Sequence, residues 1–424
     1  MVTDRIACIL RAAALLHTNG QTTQRVIEAT TRLARAFGYE VVVLPQWDLI
    51  LLRFRPLAAE TSTPWRDESV HIRPTGVDMN KVSQTTHLID RLSALPSPLT
   101  EEEISRAETE LTAIKALTPS SDLRFVLMAG LGASALGLIF GVTSHLTLVL
   151  IFFAAAIGAI LRRALAGDNL FVQPLVAASI AGIVGGVSQY FFADTQLQFV
   201  DITPCMILVP GAHILNASLD LARDRLTLGL ARLTYCLMIL LAICAGLLMG
   251  LTITNGSLTD GMLSNQVPLW LDILSAGIAV AAFGTFFSLP WRILIAPILV
   301  GMLCHASRWL ILENGGGVVL GAFVACLIAG IITAILARYL KLPFAALAFS
   351  AVVSMMPGIF VFKLASGLIE VYRADSQATV AMLTGVFANG TATFLIVMAM
   401  TFGLIVPKML IDGWIERRKN AISL

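Results

Sequence analysis

The segment Leu208-Val209-Pro210-Gly211 places a proline–glycine pair deep inside a long apolar run, and Met355-Met356-Pro357-Gly358 places a second pair inside another run. The two prolines are 357 − 210 = 147 residues apart. The same offset carries the first apolar run of the chain onto the sixth. It also carries the third run onto the eighth, where Ala181-Gly182-Ile183 matches Ala329-Gly330-Ile331 at a nearly equal offset of 148. The pattern therefore predicts an internal repeat.

The apolar runs themselves are long enough to span a bilayer, since a spanning helix needs about 20 mostly apolar residues. We predict ten such helices, at residues 123–142, 145–163, 171–192, 200–219, 228–252, 268–287, 291–308, 315–337, 343–368 and 379–406. Ten helices in two repeats give five per half. Because five is odd, the second half enters the membrane from the opposite side, and we expect an inverted repeat with residues 121–260 and 261–424 as its halves.

Composition supports a membrane protein. The chain has 57% hydrophobic and 13% charged residues and a mean hydropathy of +0.82, whereas soluble domains carry about 25% charged residues. Charge is concentrated near the N-terminus: residues 1–122 hold 13 Lys or Arg and 15 Asp or Glu, and residues 123–406 hold 12 and 10. The net charge of +2 gives no indication of nucleic-acid binding. We expect a lipid bilayer as partner and no nucleic acid.

Residues 1–120 are predicted to form a small α+β domain. Its helices are expected at about 6–19, 22–37, 79–92 and 101–117, and a β-hairpin at 41–52 with a further strand at 69–72. Thr100 and Glu103 form a capping box for the last helix. His17, His71 and His87 are scattered, and no nucleophile elbow or P-loop occurs in the sequence. We expect a structural or regulatory domain with no catalytic residue, metal ligand or cofactor.

The positive-inside rule orients the helices. With a cytoplasmic N-terminal domain, the inward turns carry Arg and Lys, and the outward turns carry acidic residues, with Arg308 and Arg373 as exceptions. We expect a multi-pass protein of the cytoplasmic (inner) membrane with both termini in the cytoplasm. The inward residues are Arg162, Arg163, Arg223, Arg225, Arg292, Arg338 and Lys341, followed by Lys408, Arg417, Arg418 and Lys419 in a C-terminal tail; the outward ones are Asp194, Asp201, Asp260 and Glu313.

The two proline–glycine breaks are the first candidates for a substrate site. Proline lacks a backbone N–H and clashes with the preceding turn, so each break frees backbone groups that need partners inside the membrane. One such break is compatible with a simple kink, but two at equivalent positions favour a function. We expect Pro210, Gly211, Pro357 and Gly358 to surround the substrate.

Polar residues follow each break. His213, Asn216 and Asp220 share one helical face at i, i+3 and i+7. His213 could carry a proton or donate an interhelical hydrogen bond. Asp220 could take part in proton coupling or be a charged residue at the membrane interface, and the sequence favours neither. Lys363 matches Asn216 in the repeat and is expected to meet a substrate carboxylate or to extend towards the interface. Asn389 and Thr391 of the tenth helix could bind a substrate hydroxyl.

Several segments together resemble the threonine/serine exporter family in its fused form. The segment Leu15-Leu16-His17-Thr18-Asn19-Gly20-Gln21-Thr22-Thr23-Gln24-Arg25-Val26 resembles the family's helix–Gly–helix opening, and Leu33-Ala34-Arg35-Ala36-Phe37-Gly38 and Asn80-Lys81-Val82 follow it. The segment from Val209-Pro210-Gly211 through Asn216-Ala217-Ser218-Leu219-Asp220 resembles the fourth-helix motif, and Met356-Pro357-Gly358 its C-terminal counterpart.

The resemblance implies proton-driven efflux of L-threonine and L-serine. Split relatives are associated with the export of dicarboxylates such as succinate, so that alternative stays open. A third hypothesis is a membrane-anchored hydrolase, which would need a nucleophile–base pair that the sequence does not display. The resemblance leaves open the assembly of the chain into a homo-oligomer.

Overall fold

The N-terminal part folds as the sequence predicts. The computed structural model describes residues 2–58, 63–74, 76–165, 169–192, 194, 196–256 and 267–422. Helices α1 (Val2–Thr18) and α2 (Thr23–Ala36) precede strands β1 (Tyr39–Pro45), β2 (Leu49–Pro56) and β3 (Arg66–His71), and α3 (Met79–Ser93) and α4 (Glu101–Ala116) follow. The strands form an antiparallel sheet in the order β1-β2-β3. Thr100 and Glu103 form the predicted capping box.

The core of this domain is one apolar cluster between the helices and the sheet. Ile6, Ile9, Ala13 and Leu16 of α1 are at most 1% exposed, as their helical spacing predicts. Ile50, Leu52 and Phe54 alternate along β2 and face the same cluster. Gly20, between α1 and α2, has a φ of +89°, so its left-handed backbone sets the turn that joins these helices.

Among the described residues, the membrane part has eight helices that are long and apolar enough to span a membrane, or ten spans if each of two bent helix pairs counts as one. The single helices are α5 (Asp122–Ile139), α6 (His145–Ala164), α7 (Val172–Phe191), α10 (Leu226–Ile253), α11 (Leu269–Phe286), α12 (Trp291–Glu313), α13 (Val318–Tyr339) and α16 (Val380–Ile422). The bent pairs are α8 (Gln198–Met206) with α9 (Gly211–Leu221), and α14 (Phe344–Val352) with α15 (Gly358–Ala374); a 3₁₀ turn, Val353–Met355, lies between the last two.

Both bends fall at the proline–glycine pairs. The axes change direction by 51° between α8 and α9 and by 65° at the second break. Pro210 and Pro357 are the N-cap residues of α9 and α15. The predicted breaks are therefore confirmed, and their cause is the missing proline N–H and the steric clash of the ring.

The helices of the two halves pack in matching pairs. In the first half α5 packs on α6, α6 on α7, α7 on α10, and α9 on α10. In the second half α11 packs on α12, α12 on α13, α13 on α16, and α15 on α16. The first helices of the two halves, α5 and α11, pack against each other. Large apolar side chains on the outer surface face the position of lipid, among them Phe153, Ile160, Leu241, Ile295, Phe387 and Phe394.

Two details of the sequence prediction are wrong. Asp201 does not lie in an outward turn: it belongs to α8 and is 0% exposed, because that helix begins three residues before it. The tenth helix does not end at residue 406: α16 continues through Pro407 to Ile422, so Lys408, Arg417, Arg418 and Lys419 lie within this helix. Asp260 and the predicted boundary at residue 260 lie outside the described residues.

Candidate functional site

The two breaks contact each other crosswise at the centre of the membrane part. A Cβ atom at Gly211, at the start of α9, would lie 1.7 Å from a ring carbon of Phe349 in α14. A Cβ atom at Gly358, at the start of α15, would lie 2.8 Å from the side chain of Met206 in α8. The start of each second half-helix thus packs against the first half-helix of the other bent pair, and a Cβ atom at either glycine would collide with the side chain there.

A cavity of about 390 Å³ lies beside the breaks. Its walls come from α8, α9, α10, α15 and α16, and Pro357 and Gly358 contribute to them. The lining is mainly apolar, and Thr234 and Thr393 supply its hydroxyl groups. The volume is within the range of about 300–1,000 Å³ that is usual for small-molecule sites.

Two polar residues after the first break connect to the N-terminal domain, Asn216 directly and His213 through Tyr235. Asn216 is 2% exposed, and its Nδ2 donates a hydrogen bond of 3.1 Å to the carbonyl oxygen of Gly20. His213 is 5% exposed and packs edge-to-face on Tyr235, with ring centroids 5.6 Å apart. Tyr235 in turn contacts Trp47 at the tip of the β1–β2 hairpin. Asn216 therefore faces the domain junction and not the cavity.

Asp220 is the centre of an ion-pair network at the same junction. Its Oδ2 lies 3.1 Å from Nε of Arg232, and its Oδ1 lies 3.6 Å from a guanidinium nitrogen of Arg225. Arg232 is 0% exposed, and its Nη2 lies 3.4 Å from Nε2 of His17 in α1. Burial of the imidazole, together with the positive charge of Arg232, lowers the pKa of His17 to about 3. His17 is therefore neutral at physiological pH.

Other residues of the N-terminal domain also contact the membrane part. Arg225 donates to Gln24, the backbone N–H of Met79 donates to the carbonyl of Phe287, and Lys341 pairs with Asp90. A second cavity, of about 740 Å³, lies at this junction. Its charged lining residues are Arg25, Glu28, Arg32, Asp90, Arg223, Arg338, Lys341 and Asp412.

The polar residues predicted in the second half lie apart from this network. Lys363 is half-buried on α15, next to the cavity-lining residue Phe362. Asn389 donates to the carbonyl of Gly385 in its own helix, and Thr391 is exposed on the surface of α16. Within the described part of the chain, Lys363, Asn389 and Thr391 are not among the residues that line the 390 Å³ cavity.

Sequence reasoning missed several buried polar groups in the spans. Arg232 is the largest fully buried side chain, and Asp201, Asp272 and His305 are each at most 2% exposed. Asp201 lies directly over Gly185 of α7, which leaves room for its carboxylate. The sequence does contain a signal for them, because each is an ionisable residue inside an apolar run. Burying such a residue in the membrane costs free energy unless it has a function or a partner. Among the described residues, no group of three or more His, Cys, Asp or Glu could hold a metal ion.

These features define a multi-pass membrane transporter with two broken helices and a docked N-terminal domain. The family profile described as "Putative threonine/serine exporter" matches residues 7–254, and the profile described as "Threonine/Serine exporter, ThrE" matches residues 272–410. The chain belongs to the threonine/serine exporter family. This confirms the predicted family and, with it, the fused arrangement of both halves in one chain.

The chain is also similar to a curated relative over part of its length. The chain is 25% identical over 253 residues to the "Probable succinate transporter subunit YjjP" of Klebsiella aerogenes, which covers 58% of this chain and 92% of the relative. No solved structure matches the chain.

Proposed function

We propose that this protein exports small hydroxy amino acids, L-threonine and L-serine, across the cytoplasmic membrane, and that a proton gradient drives the export. The observation that carries the proposal is the crossed contact of the two breaks, Gly211 against Phe349 and Gly358 against Met206. Broken helices in matching positions of two repeats are typical of secondary transporters, whose substrate binds near the midplane.

An inverted five-helix repeat is part of the proposal. The breaks are 147 residues apart, and each half shows the same set of neighbouring helix pairs. Residues 1–120, 121–260 and 261–424 would be the N-terminal domain and the two repeats. An inverted repeat supports alternating access, because exchange of the two half-conformations opens the site to the other side.

A cytoplasmic N-terminal domain with both termini inside is the orientation that we propose. The turns that contact this domain carry Arg225 and Lys341, and Arg163 lies there as well, 3.2 Å from Asp122. Positive residues gather on the cytoplasmic side of membrane proteins. The charged 740 Å³ cavity would then be the first space that a cytoplasmic substrate enters.

The backbone at the breaks is proposed to hold the substrate. The half-helices α9 and α15 begin at Gly211 and Gly358, and their N-terminal N–H groups suit a carboxylate. Pro210 and Pro357 free the carbonyls that would accept from the ammonium group. The proposed function further predicts that Lys363 binds the substrate carboxylate. It also predicts that Asn389 and Thr391 bind the substrate hydroxyl group.

Binding and proton coupling at the first break are predictions of the same kind. We predict that His213 and Asn216 bind the substrate and that Asp220 and His213 carry the proton. The junction contacts described above assign Asn216 and Asp220 a second task, because these side chains also bind the N-terminal domain and α10.

Counterflow of labelled threonine in proteoliposomes tests the function. The full chain should exchange internal threonine or serine for labelled threonine, and a pH gradient should drive net movement. Alanine at equal concentration is the control for the hydroxyl group. If neither threonine nor serine moves, with or without the gradient, the proposal is wrong.

Export of a dicarboxylate is the alternative, and the relative named as a succinate transporter subunit favours it. A second carboxylate would need a cation, and Lys363 is the lysine closest in sequence to the second break. Lys363→Ala should then reduce succinate flux more than threonine flux, whereas Arg373→Ala, at an exposed position of the same helix, should change neither. Equal losses of both fluxes in Lys363→Ala would contradict the alternative.

A homo-oligomer completes the proposal. The name of the relative describes a subunit, and closed symmetric assemblies of identical chains are common. The mass of the detergent-solubilised protein, measured by light scattering with the detergent contribution subtracted, should be two or more times 45.4 kDa, and a mass of 45.4 kDa would contradict the homo-oligomer.

A further inference from the structure

Three buried polar side chains meet beside the second break. Asp272 lies in the first turn of α11, His305 in α12, and Ser354 in the 3₁₀ turn Val353–Met355 that leads into Pro357. Their exposed fractions are 2%, 0% and 1%. Three separate elements therefore bring these side chains to one point inside the membrane part.

His305 connects the other two. Its Nδ1 lies 2.9 Å from Oδ2 of Asp272, and its Nε2 is in hydrogen-bond contact with Oγ of Ser354. Among the described residues, the other titratable groups nearby are Arg308 on the same helix, which interacts electrostatically with Asp272, and the thiols of Cys304 and Cys326. The neighbouring α14 contributes only the hydroxyl of Ser350.

The site extends from the second break towards the face of the membrane part that lies opposite the N-terminal domain. Asp272 is near the start of α11, and it is the other end of this helix, at Phe287, that binds the N-terminal domain through Met79. In the proposed orientation, Asp272 thus lies towards the outer face of the membrane, from which a driving proton arrives, and Ser354 lies beside the second break.

The contact with Ser354 ties the charge of His305 to the backbone at the break. In the neutral imidazole, Nδ1–H donates to Asp272 and the Ser354 hydroxyl donates to Nε2. When a proton binds at Nε2, both ring nitrogens donate, and Oγ of Ser354 becomes an acceptor. The hydroxyl hydrogen then needs another acceptor, and a serine in a helical turn finds one in a backbone carbonyl three or four residues earlier, a bond that bends helices.

We propose that Asp272, His305 and Ser354 form the proton-binding site of the transporter and that proton binding at His305 changes the bend at the second break. The inference rests on the proposed function. It assigns the proton to a different group from His213 and Asp220, and it explains how a proton changes the geometry of the substrate site. Asp272 stabilises the protonated ring, and Ser354 is the positioning residue that transmits its charge state.

Ser354→Ala is the first test, because it removes only the hydroxyl. A hydrogen bond to a charged group is stronger than one to a neutral group, so the variant should bind the proton roughly tenfold more weakly. The midpoint of the pH dependence of threonine flux should then shift by about one pH unit to lower pH. Ser350→Ala is the matched control: Ser350 is equally buried on α14, and its hydroxyl donates to Leu347 of its own helix. A midpoint that is the same in both variants would overturn the inference.

His305→Gln is the second test. Because a glutamine side chain binds no proton at this position, the variant should lose the stimulation of threonine flux by a pH gradient. If the variant still responds to the gradient like the wild type, the inference is wrong, although the proposed function stands. If the wild-type protein moves neither threonine, serine nor succinate, the proposed function fails instead.

A measurement without substrate separates these two failures. The thermal unfolding midpoint of the detergent-solubilised full chain is followed from pH 5 to pH 8 for the wild type, Ser354→Ala and Ser350→Ala. The decrease of the unfolding midpoint caused by Ser354→Ala should grow as the pH falls, because the Ser354 hydroxyl stabilises the protonated ring of His305 more than the neutral ring. The cost of Ser350→Ala should be constant. A constant cost for Ser354→Ala overturns the proton-binding site whatever the flux assays show.

Discussion

Replacement of Arg232 by methionine should weaken the junction between the N-terminal domain and the membrane part. Arg232 lies 3.1 Å from Asp220, and the two side chains are 0% and 3% exposed. Coulomb's law with an effective dielectric constant of about 20 gives roughly 5 kcal/mol for two charges at this distance. Breaking a buried pair by removing one partner typically costs about 3–5 kcal/mol, because the other charge remains buried. We therefore expect a loss of about that size for Arg232→Met.

A double-mutant cycle isolates the contribution of the pair. Asp220→Asn should cost about as much as Arg232→Met, since it leaves the arginine buried without its counter-ion. The double variant should cost clearly less than the sum of the two, because no isolated charge remains. Arg225→Gln is the matched control: the pair that Arg225 forms with Asp220 is longer, at 3.6 Å, and its side chain is 25% exposed, so its loss should cost about 1 kcal/mol or less.

The assay is thermal unfolding in detergent, followed with a thiol-reactive dye. The six cysteines are free, and Cys8, Cys205, Cys236, Cys304 and Cys326 are buried, so the dye reports the opening of both parts of the chain. The unfolding midpoint should be lowered most by the two single variants, less by the double variant, and least by Arg225→Gln. Additive losses, or a loss in Arg232→Met no larger than in Arg225→Gln, would refute the role of this pair.

Two further predictions concern the break and the junction. Gly211→Ala should lower both threonine flux and the unfolding midpoint, because its Cβ would lie 1.7 Å from the ring of Phe349. Gly385→Ala is the control and should change neither, since no atom lies within 4 Å of the new Cβ. A Gly211→Ala variant with unchanged flux and midpoint would contradict the close packing of the breaks. The pKa of His17 is lowered to about 3 from its ordinary value of 6.5, so the unfolded chain binds a proton at a higher pH than the folded chain does. The free energy of unfolding should therefore fall by about 1.4 kcal/mol per pH unit as the pH falls from 6.5 towards 3. His17→Gln should flatten this dependence in unfolding midpoints measured across that range, and an unchanged slope would show that His17 does not cause it.

The sequence by itself determined which segments span the membrane and where two of them break. A span is recognised from its length and its apolar composition. A break is recognised from its proline, which lacks a backbone N–H in any fold. Both features therefore depend on local chemistry alone. The helices, the hairpin and the capping box of the N-terminal domain are local in the same sense, and the structure confirms them. The family could also be recognised, because its motifs lie in these segments.

Only the tertiary structure decided which polar groups meet. Asn216 was predicted to face the substrate and binds Gly20, which is 196 residues away in the sequence. His305 contacts Asp272 and Ser354, which are 33 and 49 residues away. The physical reason is that apolar periodicity defines the depth and the face of a residue but not its neighbours. The neighbours depend on how closely helices approach, as at Gly211 and Phe349, and a buried charge is stable only where that packing supplies its partner.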